Sequence, residues 1–149
     1  MYSEAEKESE KTSVDLRTVY TDIVIDHAQH PRNLGQLPGA DGSASVVGSC
    51  GDTMEMYIRV RNDNILNAAF FTDGCGTTIA AGSMATEMAK GKTVSDAFKI
   101  SQNDILNALG GLPEESRHCA LLAADTLKAA IRDYLAFKNQ PWKRAYRAH

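Results

Sequence analysis

The segment from residue 53 to residue 72 constrains the fold more than any other part of the chain. Between residues 53 and 61, apolar side chains alternate with polar ones, which is typical of a strand with one buried face. The following Asn62-Asp63-Asn64 tolerates left-handed backbone, so residues 65–72 are predicted to return antiparallel. Residues 43–50 provide a further short strand. The sequence therefore predicts a meander of three antiparallel strands.

Helical patterns flank these strands on both sides. Apolar residues recur at helical spacing in residues 13–29, 76–90 and 119–137, and two short capped helices are predicted at 93–100 and 101–109. In the second of these long helices, Ala80, Met84 and Met88 form a stripe that is expected to face the core, and four small residues permit close approach, namely Ala81, Gly82, Ser83 and Ala85. The predicted fold class is α+β, a three-stranded antiparallel sheet with about five helices packed on it.

Composition divides the chain and excludes several functions. Residues 1–12 contain few apolar side chains and are expected to form a mobile N-terminal arm, followed by one domain at 13–140 and a short basic tail at 141–149. A net charge of -3 with scattered basic residues argues against nucleic acid as a partner. The chain lacks a long apolar run or a basic start followed by one, so we expect neither membrane insertion nor secretion, and a cytoplasmic location.

The chemistry of the chain centres on three widely spaced cysteines, which fit neither a disulfide framework nor the ribs of a zinc module. Cys50 is predicted to end the first strand, with Asp52 two residues on and on the same side. Cys75, between two glycines, and Cys119, beside His118, each open a predicted helix, where free N–H groups favour a thiolate. Together these residues predict a shared metal site.

Soft thiolate donors select zinc, copper(I) or an iron-sulfur cluster, whereas magnesium and calcium require oxygen ligands. Three thiolates with an added Asp or His could hold either a zinc ion or a 2Fe-2S cluster, and spacing alone does not separate the two. His27 and His30 have no cysteine near them in the sequence and are interpreted as structural.

Several separated motifs resemble those of the IscU/NifU-type scaffold proteins, on which iron-sulfur clusters are assembled. The resemblance covers roughly residues 17–137. The matching segments are HPRNLG from His30, Cys50-Gly51-Asp52, Asp73-Gly74-Cys75-Gly76 with the TTIAAGSMATEMAKGK that follows, and Leu112-Pro113 ahead of His118-Cys119.

The resemblance implies a function and assigns roles to these residues. It implies a scaffold rather than an enzyme, which accepts sulfur from a pyridoxal-phosphate cysteine desulfurase, takes iron, builds a 2Fe-2S cluster and passes it to apo-proteins. Cys50, Cys75 and Cys119 match the cluster-binding cysteines, and Asp52 and His118 match their acidic and histidine neighbours. Some family members bind zinc at this site. Following the resemblance, Cys119 is expected to be the first sulfur acceptor and Asp52 to tune release.

The chain departs from the family pattern in two places. Many bacterial members carry Leu-Pro-Pro-Val-Lys before the His-Cys pair, where this chain has Leu112-Pro113-Glu114-Glu115-Ser116, and Gly48 replaces the proline two residues before the first cysteine. These departures leave open whether the dedicated chaperone of the family recognises this chain. The sequence also does not decide whether two copies share a cluster in a homodimer.

Three other functions compete with the cluster scaffold. They are a zinc-dependent persulfide sulfurtransferase, a Cys-His-Asp hydrolase and a structural zinc domain. The zinc-dependent branch of the family typically has an insertion before its third cysteine and a lysine in place of the histidine, and neither is present here.

Overall fold

A computed structural model describes residues 19–140. The elements follow in chain order: α1 (Asp22–Gln29), β1 (Gly42–Val47), β2 (Thr53–Arg61), β3 (Asn64–Thr72), α2 (Gly76–Ala89), α3 (Val94–Phe98), α4 (Gln102–Leu109), a 3-10 turn (Glu114–Ser116) and α5 (Arg117–Phe137). The predicted α+β class is confirmed, with three strands and five α-helices in this part of the chain. The predicted arm at 1–12 and tail at 141–149 lie outside the described residues.

The three strands form one antiparallel sheet in the order β1-β2-β3. Asn62 and Asp63 both have positive φ, and Arg61 pairs with Asn64, so the hairpin has the two-residue turn that suits the twist of its strands. The predicted alternation of buried and more exposed side chains in β2 is confirmed, because Met54, Met56 and Ile58 are completely buried.

The core lies between one face of the sheet and the helices, since α5 packs along β1 and β2 while α2 packs on β3. Burial of these apolar side chains is the main stabilising contribution to such a domain. The largest completely buried apolar residues are Phe70, Met54, Met56, Ile58, Ile65, Ile105, Leu109, Leu127 and Ile131.

Helix α2 faces the core with the predicted stripe and approaches the sheet most closely through its small residues. Within the stripe, Ala80 is completely buried, and Met84 and Met88 are partly buried and pack against the core. A Cβ atom at Gly82 would lie 2.5 Å from the Phe70 ring. The ring of β3 therefore lies directly against the helix backbone, which is the close approach that the small residues permit.

The HPRNLG segment fastens the loop after α1 to the sheet and to α2. Leu34 forms a parallel bridge with Phe70, and Ser83 accepts a hydrogen bond from the backbone N–H of Arg32 at 2.9 Å. His27 is buried, and its Nδ1 lies 2.7 Å from the same Ser83 hydroxyl. The burial of His27 and its contact with Ser83 are consistent with the predicted structural role of this histidine.

Three predicted boundaries need correction. The first predicted helix, at 13–29, is observed from Asp22 to Gln29, because the Thr21 hydroxyl caps it by accepting from Val24 N–H at 3.1 Å, and its predicted start at 13–18 lies outside the described residues. Strand β1 ends at Val47 and not at residue 50. Helix α5 begins at Arg117, two residues before the predicted start, because the 3-10 turn leads directly into it.

The short capped helices were predicted well. Thr93 caps α3, and Ser101 forms a capping box with Asp104 at the start of α4, with both reciprocal hydrogen bonds present.

Candidate metal-binding site

Cys50 and Asp52 lie in the turn that joins β1 to β2. Two backbone hydrogen bonds close this turn, from Gly48 N–H to Asp52 O at 2.7 Å and from Gly51 N–H to Gly48 O at 3.0 Å. Gly51 has a φ of 91°, a conformation that favours glycine. The backbone is therefore not extended here, and the strand alternation from which Cys50 and Asp52 were predicted to lie on one side does not apply to them. Cys50 is exposed.

Cys75 immediately precedes α2, at the end of the sheet where the Cys50 turn also lies. Strand pairing brings these segments together, because Met54 at the start of β2 pairs with Thr72 at the end of β3. Asp73 strengthens this end by accepting a hydrogen bond from Thr53 N–H at 2.8 Å. Cys75 is exposed and sits at the N-cap position of α2, as the sequence predicted.

Cys119 and His118 occupy the first turn of α5. The Cys119 side chain is buried at 2% exposure, and its Sγ lies 3.7 Å from His118 Nε2. Gly48 brings the Cys50 turn against this helix, since a Cβ atom at Gly48 would lie 3.2 Å from Leu122.

Two threonines at the start of α2 connect the predicted donors. Thr77 Oγ1 lies 3.3 Å from Cys75 Sγ and 3.5 Å from Cys119 Sγ. Thr78 Oγ1 lies 3.4 Å from Cys119 Sγ and 4.0 Å from Cys75 Sγ, and it donates to Asp52 Oδ2 at 3.2 Å. The structure thus joins Asp52, Cys75 and Cys119 through these two hydroxyls, with His118 against Cys119. Cys50 has no such contact among residues 19–140.

The donors are near one another but are not arranged as a closed cage. Within the part of the chain that the structure describes, no three His, Cys, Asp or Glu side chains stand close enough to hold a metal ion as they are. Three thiols with a carboxylate and an imidazole are nevertheless a suitable donor set for a soft metal or an iron-sulfur cluster. Binding would require the side chains to close in around the metal.

Thr77 and Thr78 were not assigned roles from the sequence. They belong to the segment TTIAAGSMATEMAKGK, which was used only as part of the family resemblance. The available signal was their position, since residues two and three places after Cys75 lie in the first helical turn and point back toward its N-terminus.

The environment of Cys75 favours its thiolate. The hydroxyl of Thr77 lowers the pKa of the Cys75 thiol, partial burial opposes this, and the backbone N–H groups of Thr77 and Thr78 lower it further. A stabilised thiolate at a helix start is suited to metal binding and to thiol exchange.

Cys75 is therefore expected to react with iodoacetamide at lower pH than an ordinary thiol. The thiolate is the reactive form, so the midpoint of the labelling rate against pH should lie below that of an unperturbed cysteine in a short peptide, measured for the Cys75 peptide by mass spectrometry. Replacing Thr77 with valine removes the main cause and should move the midpoint upward. An unchanged midpoint in Thr77→Val would show that this hydroxyl does not stabilise the thiolate.

Fold and site together define a small α+β domain that collects cysteines, an acid and a histidine at one end of a three-stranded sheet. The profile of the NifU-like N terminal domain matches residues 19–141, and the chain belongs to this family.

Relatives of known name agree with this membership. The chain is 50% identical over 117 residues to iron-sulfur cluster assembly scaffold protein IscU 1 of Archaeoglobus fulgidus, covering 78% of this chain and 76% of the relative. It is 44% identical over 120 residues to iron-sulfur cluster assembly scaffold protein IscU of Azotobacter vinelandii, covering 77% of this chain and 93% of the relative. The crystal structure of an N-terminal NifU-like protein from Brucella abortus has the same fold, with a TM-score of 0.64, 22% identity and coverage of 81% and 97%.

Across residues 19–140, no helix combines the length and the apolar character needed to cross a bilayer.

Proposed function

We propose that this chain is a scaffold for the assembly of iron-sulfur clusters. In this role it accepts sulfur from a pyridoxal-phosphate cysteine desulfurase, takes iron, holds a labile 2Fe-2S cluster and passes it to apo-proteins. The observation that carries the proposal is the contact of Asp52, Cys75 and Cys119 with one pair of hydroxyls, Thr77 and Thr78. The similarity to relatives named as iron-sulfur cluster assembly scaffolds supports it.

The donor set suits a cargo that must be released. Three thiolates bind iron tightly, whereas an oxygen donor from Asp52 or a nitrogen donor from His118 is a weaker partner for a soft cluster than another thiolate would be. A site that lacks one thiolate can therefore hold a cluster and still give it up. Zinc is the alternative occupant of the same donors.

Cys119 is the proposed first acceptor of sulfur. Its thiolate would attack the outer sulfur of the desulfurase persulfide, so that a new S–S bond forms on Cys119 as the donor S–S bond breaks and the desulfurase cysteine leaves as a thiolate. Because Cys119 is buried, the first turn of α5 has to separate from Thr77 and Thr78 for this reaction. Reduction of that sulfur to sulfide then requires a thiol or an electron carrier as reductant.

Transfer to an acceptor tests the scaffold role directly. The protein is loaded anaerobically with ferrous iron, cysteine, a cysteine desulfurase and dithiothreitol, then separated from these reagents and mixed with an apo-ferredoxin. The acceptor is expected to gain the 2Fe-2S circular dichroism signal while the chain loses its own. A chain that becomes loaded but transfers nothing to any apo-acceptor would be a storage protein, contrary to the proposal.

Asp52→Ala is expected to slow the release of the cluster to the same acceptor. The substitution removes a negative charge from beside a cluster that anionic thiolates already surround and leaves all three thiolates in place, so the cluster is expected to be held more firmly. The transfer rate is followed by circular dichroism, with Asp41→Ala as a control because Asp41 accepts from Val60 N–H in a loop before β1. An Asp52→Ala protein that transfers at the wild-type rate would remove Asp52 from the release step.

A zinc-dependent persulfide sulfurtransferase is the second candidate, favoured by the lowered pKa of Cys75 in a site that would accept zinc. We further propose a cytoplasmic location.

Sharing of one cluster by two copies of the chain is tested by size-exclusion chromatography of the loaded protein, which separates a cluster held by one copy from a cluster shared in a homodimer.

A further inference from the structure

Thr78 contacts more of the predicted donor atoms than any other described side chain, and nothing in the scaffold chemistry has assigned it a role. Its hydroxyl donates to Asp52 Oδ2 at 3.2 Å and lies 3.4 Å from Cys119 Sγ and 4.0 Å from Cys75 Sγ. Thr78 is completely buried and Cys119 nearly so, whereas Asp52 is half-buried and Cys75 is exposed. One oxygen atom therefore contacts donors from three separate segments of the chain.

The spacing of the donors around this oxygen is wider than a metal would set. Zinc bonds to sulfur and oxygen at about 2.0–2.3 Å, whereas the three donors lie 3.2–4.0 Å from the hydroxyl oxygen. This agrees with the finding that, among residues 19–140, no group of three ligating side chains is close enough to hold an ion. Thr78 has one hydroxyl proton and donates it to Asp52, so Cys119 contacts Thr78 as a thiol that donates; binding a metal as a thiolate removes that proton, and the hydrogen bond from Cys119 to Thr78 is lost.

The local backbone keeps the Thr78 side chain in place. A Cβ atom at Gly74 would lie 2.7 Å from three atoms of that side chain, so the glycine before Cys75 leaves the space that Thr78 fills. The position of the hydroxyl is thus set by packing as well as by hydrogen bonding.

We propose that Thr78 is a positioning residue that competes with the metal for its own ligands. In the metal-free protein its hydroxyl donates to Asp52 and accepts from the Cys119 thiol, and loading removes the hydrogen bond from Cys119 because a metal-bound thiolate has no proton to donate, so the hydroxyl weakens metal binding and favours release. The inference rests on the proposed function, because it takes Asp52 and Cys119 as ligands. It goes beyond the proposed function because it assigns part of the ease of metal release to a side chain that binds no metal.

Cobalt(II) binding tests this without any assay of cluster assembly, since thiolate-bound cobalt gives charge-transfer absorption that reports the number of thiolate ligands. The matched pair is Thr78→Ala and Thr78→Ser, which differ only in the hydroxyl. Chelator competition is expected to show about fivefold tighter binding in Thr78→Ala than in Thr78→Ser, because Thr78→Ala lacks a neutral hydrogen bond that only the metal-free state makes. Thr78→Ser should bind as the wild type does.

Thr126 supplies the control pair, since it is also completely buried but donates only to Leu122 O within its own helix, at 2.7 Å. Thr126→Ala and Thr126→Ser should bind cobalt equally. If Thr78→Ala does not fold, the wild type is compared with the isosteric Thr78→Val, and the same tightening is expected. Equal affinity across the Thr78 pair, or across the wild type and Thr78→Val, would overturn the inference. Absence of thiolate charge-transfer bands in the wild type would instead count against the proposed function.

Discussion

Replacing Cys75 with alanine is expected to reduce the yield of reconstituted cluster by roughly tenfold, since a 2Fe-2S cluster needs its thiolate ligands and an alanine offers none. The side chain is exposed, so its loss should leave the fold intact. The yield is measured from visible absorption and from iron and acid-labile sulfide after anaerobic reconstitution. Thermal unfolding of the variant confirms that the domain is folded.

Cys75 is a sharper test than Cys119, because Cys119 is buried and its truncation would also create a cavity. Ser49→Ala is the control, since Ser49 is an exposed residue in the turn that carries Cys50 and has no assigned role. It should assemble cluster at the wild-type yield. Full cluster yield in Cys75→Ala would remove this thiol from the site and with it the donor set on which the proposal depends.

Replacing Gly82 with alanine is expected to destabilise the domain by about 1–3 kcal/mol, as overpacking of a tight core does. An added Cβ would lie 2.5 Å from the ring of Phe70, which is completely buried and cannot easily move. The expected sign is informative, because glycine to alanine in a helix ordinarily stabilises by about 1 kcal/mol. Urea denaturation measures the change in the free energy of unfolding.

Gly76→Ala is the matched control in the same helix, where the nearest atom to a new Cβ would be that of Ala28 at an ordinary 3.7 Å. It should not destabilise the domain. Combining Gly82→Ala with Phe70→Leu should cost less than the sum of the single changes, since the smaller side chain relieves the contact. A Gly82→Ala protein as stable as the wild type would show that α2 does not lie this close to β3.

The parts of the fold that the sequence predicted are those where a local pattern and the tertiary structure agree. The alternation in β2 and the left-handed residues Asn62 and Asp63 define the hairpin, and the Ser101 capping box marks the start of α4. Each of these features depends on residues close together in the chain.

The errors have two sources. Residues 48–52 look like the end of a strand, but the Gly48–Asp52 hydrogen bond closes a turn there, and Gly51, whose positive φ favours glycine, was the local signal that the strand prediction passed over. In α2, helical periodicity did not show that Met84 and Met88 lie at the edge of the core, because the position of the Phe70 ring is set by the distant strand β3.

The candidate site likewise contains residues that the sequence predicted and residues that only the folded chain reveals. The cysteines and their neighbours were predicted because thiols, carboxylates and imidazoles carry recognisable metal chemistry. Thr77 and Thr78 were missed because a threonine in a helix has no such signature, and only the folded chain brings their hydroxyls against Cys119, on a helix far away in the sequence.

The central claim is that these donors build an iron-sulfur cluster and do not merely hold zinc. The most direct measurement is anaerobic reconstitution of the wild-type protein with ferrous iron, cysteine, a desulfurase and dithiothreitol, followed by analysis of iron, acid-labile sulfide and zinc. The account predicts a visible 2Fe-2S spectrum with iron and sulfide in equal amounts and little zinc. One tightly held zinc ion per chain, with no cluster formed under any reconstitution condition, would contradict it and favour the persulfide sulfurtransferase.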